Sequence, residues 1–97
     1  MALLVERRLR MVGRRLLELR AEVTLADEQL AHFLDDASDA EMRSLVSETP
    51  LAASEHREAS RHSDAMSRHR NDLLTRIAKL EVEQDELLDK MNSQRRR

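Results

Sequence analysis

The apolar residues Ala2, Val5, Leu9, Val12, Leu16, Leu19, Val23, Ala26, Leu30, Phe33 and Ala37 lie alternately three and four apart, without a slip. A repeat averaging 3.5 residues keeps one stripe of an α-helix turned toward a neighbouring helix, whereas a half-buried strand needs alternation by twos. The flanks of the stripe are mostly charged: Arg8, Arg15, Glu22 and Asp36 on one side, Glu6, Arg20 and Asp27 on the other. Leu34 widens the apolar face, and Gly13 weakens the helix by roughly 1 kcal/mol. The spacing predicts a first helix over about 3–34, roughly 48 Å long at 1.5 Å per residue.

The stretch from Phe33 to Leu51, FLDDASDAEMRSLVSETPL, interrupts this regularity with acidic residues and the only proline of the chain. Ser38 followed three residues later by Glu41 is a capping-box pattern, which predicts a short bend helix over about 39–47. Met42, Leu45 and Val46 give that helix an apolar side. Thr49-Pro50 then reads as a restart, a hydroxyl N-cap followed by proline where its missing N–H costs nothing. The return helix is expected over about 50–91, with a basic tail at 92–97. Its register places Ala52, His56, Ala59, Ser63, Met66, Arg70, Leu73, Ile77, Leu80, Gln84, Leu87 and Met91 on the inner face.

A single small domain of all-α class follows: an antiparallel coiled-coil hairpin with a short helix at its bend. One aromatic, one glycine and one proline in 97 residues leave neither the side chains of strands nor the turns between them. Folding about residue 42 sets Leu9 near Leu74, Leu16 near Arg68 and Leu30 near Ser54. The strong seam of the first helix would then face a weak part of the return helix. Two helices alone bury little surface. The expectation is therefore a homodimer forming a four-helix bundle, or completion of the hairpin on another protein. The packing residues would be Leu9, Val12, Leu16, Leu19, Val23, Leu30, Phe33, Met66, Leu73, Ile77, Leu80 and Leu87. His56, Arg70 and Gln84, polar at seam positions, would set register and partner choice at a cost in stability.

Residues for catalysis are scarce. The absence of cysteine removes disulfides and thiolate ligands, and the one glycine rules out a glycine-rich phosphate loop. Four histidines are present; Glu28/His32 and Glu58/His62 are spaced four apart, not the three of carboxylate-bridged di-metal bundles. His62 and His69 lie one heptad apart, so a metal-binding bundle is a minor alternative. The segment Glu18-Leu19-Arg20-Ala21-Glu22-Val23 in a long–short–long helical layout resembles the small all-α chorismate mutases. The following TLADEQLAHFL lacks the downstream arginine and lysine that this resemblance requires. No enzyme activity and no cofactor are expected.

Charge is segregated. Residues 1–20 hold six Arg and two Glu, while residues 21–50 hold eight acids and one Arg. Arg7, Arg8, Arg14 and Arg15, with the terminal Arg95, Arg96 and Arg97, form a candidate basic patch for phosphates. Asp35, Asp36, Asp39 and Glu41 form a candidate acidic tip. Asp36-Ala37-Ser38-Asp39-Ala40 resembles the D-x-x-D-x-A tip of coiled-coil factors that enter the secondary channel of RNA polymerase, with its Ala one position early. That resemblance implies a transcription-machinery role, but the zinc finger of that group has no cysteines here to build it. No stretch approaches the ~20 apolar residues of a membrane span, and the N-terminal run is too interrupted for a signal peptide, so a cytoplasmic protein is expected. The leading expectation is a non-catalytic protein-interaction module with a regulatory role, with a transcription-machinery or nucleic-acid-associated factor as the alternative.

Overall fold

The structure, a computed structural model, describes residues 2–95. Two α-helices account for nearly all of them: α1, Ala2–Ser47, and α2, Pro50–Arg95. The basic ending therefore remains helical to Arg95, and Arg96 and Arg97 lie outside the described residues.

The largest departure from expectation is at the bend. Residues 35–38 do not leave the helix, and residues 39–47 are the last turns of α1 rather than a separate element. The three-four seam explains this, because it does not stop at Ala37. Ala40 and Ser44 continue it, and Ala40 is buried. A capping box is worth about 1 kcal/mol. That is too little to break a helix whose inner face is still being covered and which contains no Gly or Pro there.

The turn itself is two residues. Glu48 takes a left-handed conformation, φ 50°, and donates its N–H to the Ser44 carbonyl at 3.1 Å. This is the single-bond left-handed helix ending usually made by glycine. Thr49 then caps α2 as expected. Its Oγ1 accepts the Ala52 N–H at 3.1 Å, and its carbonyl accepts the Ala53 N–H at 3.0 Å. Pro50 occupies the first helical position and bars the preceding residue from continuing α1.

Moving the bend from residue 42 to 48–49 changes the pairing of the helices. Arg8 meets Glu83, Asp27 meets Arg70, and Phe33 meets His62 edge-on at 5.8 Å between ring centres. These pairs lie several residues further along α2 than a fold about residue 42 would set them. In the part of α2 nearer the turn the buried residues are still small, Ala52 and Ser63.

The chain resolves into two compact units, each pairing a segment of α1 with a segment of α2. Unit 1 contains the residues up to Val23 and those from Leu73, and buries Val12, Leu16, Leu19, Leu73 and Ile77. Unit 2 spans Thr24–Asp72 and is a hairpin around the turn. Its buried residues are small: Ala26, Ala40, Ala52 and Ser63, whose Oγ donates to the Ser60 carbonyl at 3.0 Å. Among the described residues no helix is long and apolar enough to cross a membrane.

Candidate interaction surfaces

The seam residues lie on the inner faces of the two helices. Val12, Leu16, Leu19, Leu73 and Ile77 are buried by the chain itself, and Leu9, Val23, Leu30, Phe33, Met66, Leu80 and Leu87 are half-covered. Side chains already buried within one chain are spent on closing the hairpin. A partner must be met by residues that remain outside.

The three polar seam residues behave differently. Arg70 is half-buried, and its Nε donates to an Asp27 carboxylate oxygen across the pair of helices in unit 2. Gln84 is half-covered. His56 is partly exposed, and its Nδ1 is buried without a hydrogen-bond partner among the described residues.

Asp35, Asp36, Asp39 and Glu41 are all exposed, but on the flank of α1 rather than in a loop. Asp36, Asp39 and Arg43 face Glu55, Glu58 and His62 across a shallow notch in unit 2 of about 290 Å³. Asp36 lies 3.7 Å from His32 Nε2, and Glu58 lies 4.0 Å from His62 Nε2. Among the described residues no group of three or more His, Cys, Asp or Glu is placed to hold a metal ion.

The basic patch is partly neutralised within unit 1. Arg8 makes a two-pronged bond to Glu83, Nε to Oε1 at 2.5 Å and Nη2 to Oε2 at 3.0 Å. That hydrogen bond, opposed by desolvation and aided by the guanidinium charge, holds the Glu83 carboxyl below its ordinary value. The same bond raises Arg8. Arg15 pairs with Glu18 at 3.0 Å. Arg7, Arg14 and Arg95 are exposed. A surface where carboxylates already hold arginines gives up part of its pull on phosphates.

What reading the seam alone missed is on the outside. Leu4, Met11, Leu25 and Val46 are 63%, 51%, 54% and 80% exposed. They fall at one heptad position, since 4, 11, 25 and 46 differ by multiples of seven. That signal was present in the sequence, one position beyond the charged flank. Met42 and Leu45, expected together with Val46 to form the apolar side of a short bend helix, are exposed, as is Leu51 at the start of α2. Shallow hollows lie beside two of the outward residues. One in unit 1 is lined by Arg8, Met11, Arg14, Arg15 and Leu80, and one in unit 2 by Leu25, Glu28, His32 and Phe33. Compared with known protein families, curated proteins and solved structures, the chain matches none.

Proposed function

We propose that the chain is a non-catalytic protein-interaction module that works by helix-to-helix packing, with a second copy of itself and with a partner protein. The observation that carries this reading is the set of large apolar side chains left outside after both seams have closed. Leu4, Met11, Leu25 and Val46 are each more than half exposed at a repeating helical position. Scattered surface leucines need no explanation, but a heptad-spaced series on one helix is the pattern that a further helix covers.

The nucleic-acid reading has less in its favour, because Arg8 and Arg15 already have carboxylate partners and the chain's single aromatic, Phe33, is half-buried beside His62.

The test is solution mass by light scattering together with helicity by circular dichroism. The wild-type chain of 11.3 kDa is expected at twice that mass. Leu25→Asp, outside the seam, is expected to reduce it to one chain with helicity retained. Leu16→Asp serves as the contrast, since a charge at a position 1% exposed unfolds the chain. A wild-type monomer at all concentrations, or a dimer indifferent to Leu25→Asp, would count against self-association through this surface.

A further inference from the structure

The part of α1 from Thr24 to Ser47 lies wholly in unit 2. Within it Leu34, Ser38, Met42 and Leu45 follow one another four, four and three residues apart, so they share one helical face. Val46, four residues after Met42, widens that face. It lies on the side of α1 away from the buried Ala40, and Leu34, Met42, Leu45 and Val46 are each more than half exposed. Just past the two-residue turn, Leu51 is exposed as well.

The edges of this face are acidic. Asp35 and Asp39 border it on the side of Val46, and Glu41 borders it on the side of Leu45. All three are exposed, and none belongs to an ion pair among the described residues. From residue 24 to residue 56 the chain holds eight acids and a single base, Arg43. An apolar strip with a charged rim marks a surface made for an occupant, and the sign of the rim selects it.

Acid on both edges narrows the choice. A second copy seated by the same strip would set acids chiefly against acids, which opposes association. Anionic lipid and nucleic acid are repelled for the same reason. An occupant that covers the leucines and carries Lys or Arg beside its own apolar stripe gains on both counts. The strip is about 18 Å long from Leu34 to Val46, which suits three to four turns of a facing helix.

We propose that the outward face of α1 from Leu34 to Val46 docks an amphipathic helix of another protein, one whose apolar stripe is flanked by Lys and Arg. This rests on the protein-interaction reading above and supplies the chemistry of the partner.

The test measures binding of a labelled peptide to the full chain by fluorescence anisotropy. The peptide has about 18 residues of Leu and Lys, with Leu at the two inner positions of each heptad. Binding is expected, and raising salt from about 50 mM to about 500 mM should weaken it roughly tenfold, because the acids are exposed. Met42→Ser/Leu45→Ser is expected to weaken it at least ~tenfold with unchanged circular dichroism, since neither side chain is in the core. Asp39→Asn/Glu41→Gln should weaken it at low salt and have little effect at high salt. Leu17→Ser, equally exposed but in unit 1, should change nothing.

Absence of binding, equal binding of a peptide with Glu in place of Lys, or indifference to Met42→Ser/Leu45→Ser would overturn the proposal. So would capture of anionic lipid vesicles by the same strip, or a wild-type dimer that Met42→Ser/Leu45→Ser dissolves, since a lipid surface or a second copy would then be the occupant. If the peptide fails while the Leu25-dependent dimer is present, this inference falls and the interaction-module reading stands. A chain that neither dimerises nor binds the peptide would remove both.

Discussion

Gly13 sits within α1, beside the buried Val12, with helical backbone geometry, and a methyl group built on it meets nothing within 4 Å. Glycine here has no turn to make and no close approach to allow. It only adds freedom to the unfolded chain, so Gly13→Ala is expected to stabilise the fold by about 1 kcal/mol. For a domain of this size that raises the melting temperature by about 4–8 °C. Thermal unfolding followed by circular dichroism checks it, and an unchanged or lower midpoint would mean that the glycine has a role in packing between chains. Glu48 is the opposite case. Its positive φ is a position where glycine would be at ease, and a charged residue occupies it instead. Neither property is visible from residue type alone, because the sequence places its glycine where a helix does not need one.

Within each helix, local signals and long-range packing compete, and the outcome separates what was readable from what was not. The seam from Val5 to Ala37 was legible because a strict three-four spacing has few alternative explanations. Thr49-Pro50 was legible because proline acts through sterics that no packing can offset. Ser38 and Glu41 misled for the converse reason: their capping preference is worth little beside the continued covering of Ala40. That one misreading moved the turn and with it every cross-helix pairing, so the partners of Arg8 and Asp27 were not foreseen. The Arg8–Glu83 pair now gives a pH prediction. Glu83 is held below its ordinary value of 4.5 in the folded chain. Its contribution is therefore fully present above that value and is lost as pH falls through the lowered one. Wild type is expected to melt slightly above Glu83→Gln at neutral pH, with the gap closing in acid. A gap that persists or widens as pH falls below 4 would show that the pair does not act through the ionised carboxylate. The effect is small because both side chains are substantially exposed.

Across the whole molecule, the two units are built from different materials. Unit 1 buries Val12, Leu16, Leu19, Leu73 and Ile77, and each such side chain contributes about 1.5–3 kcal/mol on leaving water. Unit 2 buries Ala26, Ala40, Ala52 and Ser63, which remove far less apolar surface, and it leaves His56 Nδ1 without a partner. Similar helical sequence therefore covers a difference in local stability, because backbone hydrogen bonds are alike along both helices while the side chains beneath them are not. Native-state hydrogen exchange resolves this directly. Amides around Val12–Leu19 and Leu73–Ile77 are expected to exchange most slowly, through opening close to global unfolding. Those around Ala40 and Ala52 are expected to exchange at least ~tenfold faster, through local opening. Substituting Ala40 with Gly should widen the difference by speeding exchange near the turn without changing it at Leu16. Uniform protection along both helices would instead mean that unit 2 draws stability from something other than its small buried residues, and contact with a second copy is then the first place to look.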